Sequence, residues 1–380
     1  MESSNKNIKE KNYIMNSISL LAKWMKSENA SSDETKRYAK ILRDGLNLSP
    51  REYRKMLSNM RKYIDVVERK MSAKQWGEID YEAVPSRANL IYNDAFLRND
   101  EERRREYLGK LEKGEAKINA GVLFPHDIVH KYSRYGTDAA LEGMWKALPD
   151  TVKGCGNTIV VADGSGSMQI RVGNTDVSAL EVANSLAIYF AEHSSGEFKD
   201  KYITFSERPQ LVDFSKAKNL REKLNIARQY NEVANTNIEA VFDLILSTAI
   251  KNHMHQEDIP ANILIISDME FDSCATTNTV SRNGWYSSCV RPTATLFETI
   301  EQKYRAAGYK IPRLVFWNVN SRTGTIPVKE NDLGVALVSG FSVNIAKMVM
   351  SGKTDPYECL LEALNVERYQ PIEDAIKDIC

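Results

Sequence analysis

Apolar runs that end abruptly in oxygen-bearing side chains are the most informative feature of this chain. Ile159–Ala162 leads into Asp163, and Ile263–Ile266 leads into Ser267 and Asp268. Each run has the length and composition of a strand that is buried on both faces of a parallel sheet. In open α/β sheets the carboxyl ends of the strands are where ligands bind. The chain therefore predicts an α/β domain with a polar site at one edge of its sheet.

The polar residues that follow these apolar runs, with one threonine between them, would form a set of hard oxygen ligands. In chain order they are Asp163, Ser165, Ser167, Thr236 and Asp268. The first three are spaced by two, so their side chains share one face wherever the chain is extended. Three hydroxyls and two carboxylates suit Mg²⁺ and, less tightly, Mn²⁺ or Ca²⁺. We therefore predict a magnesium site. The alternative, in which the two serines only cap a helix, leaves Thr236 and Asp268 without a role.

The same five residues resemble the metal-ion-dependent adhesion site of von Willebrand factor A domains. The match has the expected order, and each part lies at a strand-to-loop junction. The resemblance implies that Ser165, Ser167 and Thr236 bind the metal directly, whereas Asp163 and Asp268 act mostly through water. It also implies that one coordination position is left for an acidic group of a protein partner.

Periodicity divides the chain into a helical part and an α/β part. Residues 1–148 carry apolar side chains at helical spacing, including one amphipathic helix that begins near Ser49 and continues to Met71. Residues 151–352 alternate strands and helices, which predicts a Rossmann-like domain with a mainly parallel central sheet. We expect a loop insertion at 273–291 and a helical tail at 353–380. The predicted strands are Thr158–Ala162, Tyr202–Phe205, Gln210–Val212, Ile263–Ser267, Leu314–Val319 and Val335–Ser339.

The N-terminal half carries a second resemblance. The segments YRKMLSNMRKYIDVVERKMSAKQWGEIDYEAVPSRANLIYNDAF and KINAGVLFPHDIVHKY resemble the domain of unknown function 2828, whose members join a helical region to a C-terminal von Willebrand A module. More distantly, helices followed by such a module resemble the architecture of the Ro autoantigen, whose helical ring binds small RNAs. Here the helical part is much shorter than that ring.

A zero net charge hides an uneven distribution. Residues 1–134 hold 27 Lys and Arg against 20 Asp and Glu, a net charge of +7 that the remainder balances. A basic face of this kind could bind the phosphates of a structured RNA, which is the first alternative function. Interleaved acidic residues also fit two ordinary solvated helix faces. The candidate RNA contacts are Arg51, Arg54, Lys55, Arg61, Lys62, Arg103, Arg104 and Arg105.

The insertion after Asp268 is rich in Ser, Thr and Asn, and it would lie beside the metal. Within it, Trp285 and Tyr286 are candidate anchors for a partner, because large aromatic side chains bury much area at low entropic cost. The alternative is that Trp285 packs back onto its own domain.

Cysteine usage and hydropathy indicate the compartment. Five scattered cysteines without a C-x-x-C pair fit a reduced protein. The first residues lack the apolar core of a signal peptide, and no apolar run is long enough to span a bilayer. These features predict a cytoplasmic protein that does not act at a membrane.

An aspartyl phosphatase of the haloacid-dehalogenase type is the second alternative function. There Asp163 would be a nucleophile activated by Mg²⁺. That chemistry needs a second carboxylate two residues later as general acid, and this chain has Ser165 at that position. The sequence therefore favours a non-enzymatic, metal-dependent binding protein.

Overall fold

The chain divides into two compact units, Met1–Asn119 and Ala120–Cys380. In this computed structural model the described residues are 21, 23–135, 139–152, 157–230, 237–268, 294–320, 328–330, 335–340, 356–365 and 370. The sequence predicts a boundary near residue 148, whereas the division falls after Asn119. Residues 120–152 belong to the second unit and form hydrogen bonds within it. Trp145 Nε1 donates to Glu192 at 2.8 Å, and the Thr151 amide donates to Tyr189 Oη at 2.9 Å.

The first unit is helical, as the sequence predicts. Its helix Pro50–Tyr63 begins at a capping box, in which Ser49 and Glu52 satisfy each other's backbone amides. The predicted helix from Ser49 to Met71 is in fact two helices, because Asp65 adopts a left-handed φ of 46° that an α-helix cannot contain. The longer helices among its described residues are α1 Asp33–Gly45, α2 Pro50–Tyr63, α3 Val67–Ser72, α4 Ser86–Asn99 and α5 Glu101–Glu112.

The second unit begins with two helices and continues as alternating strands and helices. The helices described in it are α6 Pro125–Tyr135, α7 Ala139–Lys146, α8 Ala179–His193, α9 Leu220–Gln229, α10 Ile238–Lys251, α11 Ala294–Ala306 and α12 Pro356–Leu364. The strands are β1 Thr158–Ala162, β2 Lys201–Thr204, β3 Leu211–Asp213, β4 Asn262–Ser267, β5 Arg313–Asn318, β6 Val328–Glu330 and β7 Ala336–Ser339.

These strands form one seven-stranded sheet in the order β3-β2-β1-β4-β5-β7-β6. The five central strands are parallel, and β3 and β6 pair antiparallel at the two edges. The predicted α/β fold class behind a helical N-terminal region is confirmed. The edge strand β6 was missed, because three residues are too short for a periodic signal. The insertion at 273–291 and much of the predicted tail lie outside the described residues.

Helices α10 and α11 pack on one face of this sheet through a cluster of apolar side chains. The cluster includes Val161 of β1, Ile265 of β4 and Phe316 of β5, which pack with Phe242 of α10 and Tyr304 of α11. Helix α8 packs on β1 and β2 and contributes nothing to that cluster, so helices cover both faces. Among the described helices, none is long and apolar enough to cross a membrane.

Candidate metal centre

Asp163 lies directly after β1, at the carboxyl edge of the sheet. Its amide donates to the carbonyl of Ile266 at 3.0 Å, so the pairing of β1 with β4 continues one residue past the strand. The side chain is only 3% exposed. Oδ1 accepts the amide of Ser165 at 2.9 Å, and Oδ2 accepts the hydroxyl of Ser267 at 2.7 Å. Both carboxylate oxygens are therefore fixed in direction.

The loop after Asp163 brings two serine hydroxyls into a chain of hydrogen bonds that ends at Asp268, directly after β4. Ser165 Oγ lies 2.9 Å from Ser167 Oγ, and Ser167 donates to Asp268 Oδ1 at 3.1 Å. A 3-10 helix at Gly166–Gln169 shapes this loop, and the fully buried Met168 anchors it. Four of the five predicted ligands thus converge across the ends of β1 and β4.

The electrostatic surroundings of Asp268 favour a neutralising partner. Burial raises the pKa of Asp268 above its ordinary value, and the nearby Asp163 carboxylate raises it further. The hydroxyl of Ser167 donates to the charged form and works in the opposite direction. Two carboxylates at one partly buried edge repel each other unless a proton or a cation lies near them.

The donor set and its spacing fit a small hard cation. Mg²⁺ binds oxygen at about 2.0–2.1 Å in octahedral geometry, which places neighbouring ligand oxygens about 2.9 Å apart. The Ser165–Ser167 and Ser167–Asp268 oxygen pairs have nearly that spacing. Within the described chain, no three His, Cys, Asp or Glu side chains gather in a way that could hold a metal. Any cation at this edge would therefore depend on hydroxyls as well as carboxylates.

The remaining predicted residues of the site fall outside the described part of the chain. Thr236, Trp285 and Tyr286 are in this group. The residue after Thr236 is described: Asn237 caps α10 by accepting the amide of Ala240 at 3.0 Å. The predicted roles of these three residues stay predictions.

Ser267 is the site residue that sequence reasoning did not assign. It is fully buried, and its hydroxyl holds Asp163 rather than pointing to solvent. The signal was a polar residue at the end of the apolar run Ile263–Ile266, directly before Asp268. A hydroxyl in that position needs a partner, and the end of the neighbouring strand supplies one.

Two basic residues of α2 form bonds within the helical unit. Arg54 pairs with Glu28 at 3.2 Å, and Arg61 donates to the carbonyl of Met25 at 2.7 Å. These bonds hold the segment before α1 against α2. The predicted RNA contacts on α2 that remain exposed without such a bond are Arg51, Lys55 and Lys62.

Three consecutive arginines of α5 have three different surroundings. Arg103 donates to the carbonyl of Ile79 at 2.9 Å, and Arg105 pairs with Glu101 at 2.8 Å. Arg104 is 0% exposed, because α5 turns it towards the interior of the helical unit. Its prediction as an RNA contact was wrong, since a fully buried guanidinium cannot reach a phosphate.

Comparison with known protein families identifies both halves of the chain. A sequence model of the domain of unknown function DUF7788 matches residues 157–374, more than half of the chain. The chain belongs to that family. A second model, of the domain of unknown function DUF2828, matches residues 3–158, and the predicted resemblance to that family is confirmed. The two matches overlap at residues 157–158, where β1 begins.

Two individual proteins are similar over most of the chain. Uncharacterized protein L728 of Acanthamoeba polyphaga mimivirus is 31% identical over 375 residues, which cover 93% of this chain and 62% of L728. The chain thus spans less than two thirds of that relative. The crystal structure of the Ro (RSR) protein of Deinococcus radiodurans matches with a TM-score of 0.42 and 12% identity, over 89% of this chain and 74% of that one.

Proposed function

We propose that the second unit binds Mg²⁺ at Asp163, Ser165, Ser167, Thr236 and Asp268, and thereby captures an acidic group of a protein partner. The observation that carries the proposal is the line of oxygens at the sheet edge, with Ser165 Oγ 2.9 Å from Ser167 Oγ and Ser167 Oγ 3.1 Å from Asp268. Hydrogen bonds hold these atoms near the spacing of neighbouring ligands around a small octahedral cation.

The proposed roles follow the von Willebrand A pattern. The hydroxyls of Ser165, Ser167 and Thr236 bind the ion directly, and Asp163 and Asp268 support it mostly through water. Neutral hydroxyls leave the ion incompletely neutralised, so the bound ion attracts a carboxylate. The structure supports an indirect role for Asp163, because Ser165 and Ser267 already direct both of its oxygens. Mn²⁺ and Ca²⁺ are the expected substitutes.

Binding rather than catalysis is the proposal for this edge. Each oxygen of Asp163 accepts a hydrogen bond, and such bonds lower the reactivity of a carboxylate as a nucleophile. Ser165 cannot act as a general acid near neutral pH, because a hydroxyl holds its proton too tightly. The phosphatase alternative is therefore not favoured.

The basic helices do not support RNA binding as a second function. Arg104 is buried, Arg61 and Arg103 donate to backbone carbonyls, and only part of the predicted face remains exposed. We place the metal-dependent binding in the cytoplasm, on the basis of the cysteine pattern alone.

Isothermal titration of Mg²⁺ into the full chain tests the metal site. We expect Ser167→Ala to weaken binding roughly tenfold or more, because it removes one ligand oxygen and the bond to Asp268. Ser247→Ala is the matched control, since it removes an exposed serine hydroxyl from α10. Equal affinities in the wild type and Ser167→Ala, or no binding at millimolar Mg²⁺, would overturn the proposal.

A second measurement tests the capture of an acidic group. Mn²⁺ bound to the full chain enhances the relaxation of water protons, and a carboxylate that displaces its bound water lowers this enhancement. We expect a short peptide with one Glu to lower it, and the same peptide with Gln to leave it unchanged. If both peptides act alike, the site binds metal without selecting carboxylates.

A further inference from the structure

One side of α1, in the helical unit, is both apolar and exposed. Tyr38, Ile41 and Leu42, together with Leu46 directly after the helix, are between 39% and 56% exposed. Their spacing of three and four residues places them along one side of the helix, and we call them the α1 stripe. Single exposed apolar side chains are ordinary on protein surfaces, whereas a continuous stripe of them marks a surface that another molecule covers.

The α1 stripe is separate from the side of α1 that packs within the helical unit. Ala39 is fully buried in a cluster with Tyr53 and Leu57 of α2. Arg43, one turn after Ala39, pairs with Glu28 at 2.7 Å. The core of the unit therefore uses one side of α1, and the described part of the chain leaves the α1 stripe uncovered.

A glycine continues the stripe. Gly45 is the last residue of α1, seven positions after Tyr38 and four after Ile41. Beyond its own turn of helix, a Cβ at Gly45 would meet no atom within 4 Å, and its φ is not positive, so neither packing nor backbone conformation requires glycine there. A glycine on an apolar helix face lets another chain approach closely. Gly45 therefore leaves a hollow that a side chain of a partner helix can fill.

Two opposite charges border the α1 stripe on one flank. Arg37 and Asp44 are seven residues apart, so they lie on the same side of the helix. Arg37 is exposed and forms no ion pair with a described residue. Asp44 bonds to Arg43 through Oδ1 alone, at 2.7 and 3.0 Å, so Oδ2 remains for another donor. When two such helices pack antiparallel, equal flanks meet, and Arg37 of each copy lies opposite Asp44 of the other.

We propose that α1 forms a homodimer, in which the α1 stripes of two copies of this chain pack antiparallel across a two-fold axis. Such a contact uses the same patch twice, so the patch must be complementary to itself. The α1 stripe meets this condition, because Tyr38 faces the hollow at Gly45 of the other copy, and two pairs of Arg37 with Asp44 border the apolar centre.

The size of the contact sets its expected strength. Helix α1 has 13 residues, so two copies of it bury less surface than the standard interface of about 1,600 Å². We therefore expect a weak dimer, with a dissociation constant of roughly 10–100 µM.

Sedimentation velocity of the full chain in EDTA, at roughly 5–200 µM, covers the expected dissociation constant. The wild type shifts from monomer to dimer over this range. Ile41→Glu remains a monomer, because it places a charge at the centre of the apolar contact. Ile91→Glu on α4 is the matched control, since Ile91 is 57% exposed against 56% for Ile41 and lies outside α1. That variant dimerises like the wild type.

Exchanging the two charges tests the antiparallel arrangement. Arg37→Asp and Asp44→Arg each weaken the dimer by roughly three- to tenfold, because each places like charges opposite one another twice. An equimolar mixture of the two variants dimerises like the wild type, since both charge pairs are opposite again in the heterodimer. A folding defect cannot produce this rescue. In a parallel pair of helices these residues do not meet.

The dimer is independent of the metal site, so Asp163→Ala dimerises like the wild type, and the metal proposal can fail without this one. Circular dichroism checks that Ile41→Glu is folded. Three results overturn the inference: a wild type that stays a monomer at all concentrations, an Ile41→Glu variant that still dimerises, or a mixture of the charge variants that associates no more than either variant alone.

Discussion

The hydroxyl of Ser267 donates to Asp163 Oδ2 at 2.7 Å, between two residues that are 104 positions apart in the sequence. The bond joins the ends of β1 and β4, which run parallel with Ala162 opposite Ile266. It is fully buried at Ser267, so water does not compete for it. Asp163 therefore reaches the sheet edge with its carboxylate already oriented.

We expect Ser267→Ala to weaken Mg²⁺ binding by roughly tenfold, although Ser267 itself is not a proposed ligand. Groups that orient a metal-binding side chain are typically worth about 10–100-fold in affinity. Calorimetric titration of Mg²⁺ into the full chain measures the effect. Ser185→Ala is the matched control, because it removes another fully buried serine hydroxyl, one bonded to Val182. If the two variants bind Mg²⁺ equally well, Ser267 does not position Asp163.

Thr236 precedes Asn237, the cap of α10, and is the proposed fifth member of the metal site. We expect Thr236→Ala to lower Mg²⁺ affinity roughly tenfold or more, and Thr236→Ser to retain most of it, because serine keeps the hydroxyl. Thr248→Ala, which removes a threonine hydroxyl bonded within α10, should change nothing. The same titration decides the matter. Full affinity in Thr236→Ala would remove this residue from the site.

The sheet and its polar edge could be predicted because their signals are local. Ile159–Ala162 and Ile263–Ile266 contain no polar residue, and each is followed by a polar side chain that needs a hydrogen-bonding partner. If both runs are parallel strands of one sheet, their carboxyl ends lie at the same edge of it. Asp163 and Asp268 are then expected at that edge. The orienting role of Ser267 depends on which strand lies next to β4, which local pattern does not reveal.

The surroundings of the α5 arginines could not be predicted, because they depend on tertiary packing. Arg103, Arg104 and Arg105 are identical and adjacent in the sequence, yet only Arg104 turns inward. Its environment is completed by Asn89 and Asn93, which α4 brings from earlier in the chain. A charge count treats all three arginines as one basic patch, whereas the packing of α5 against α4 divides them.

Trp285 remains a predicted partner anchor on the basis of its sequence position after Asp268. We expect Trp285→Ala to abolish the response of bound Mn²⁺ to a Glu-containing peptide while leaving metal affinity nearly unchanged. Trp24→Ala is the control, because Trp24 is 67% exposed and belongs to the helical unit. Thermal melting tests the alternative that Trp285 packs onto its own domain. A fall of several degrees in the melting temperature of Trp285→Ala alone indicates such packing, and the interface role is then wrong. Tyr286→Ala should behave like Trp285→Ala, more weakly.

Arg104 should be essential for the stability of the helical unit. Its guanidinium carbon lies 4.8 Å from the ring centre of Tyr81 and 5.1 Å from that of Tyr107, and Nη2 donates to Asn93 at 2.8 Å. Arg104→Met keeps much of the stem but removes the donors and the cation that the rings attract. We expect a loss of about 2–4 kcal/mol, because buried amide oxygens lose their donor and the cation–π contacts disappear.

Urea denaturation of the full chain, followed by circular dichroism, measures this loss. Arg105→Met is the matched control, since that side chain is 70% exposed and its pair with Glu101 lies at the surface. Arg105→Met should therefore unfold at nearly the wild-type midpoint, whereas Arg104→Met unfolds at a lower urea concentration. Equal midpoints for the two variants would mean that the aromatic rings and amides around Arg104 tolerate an apolar side chain, and that the buried cation does not stabilise the unit.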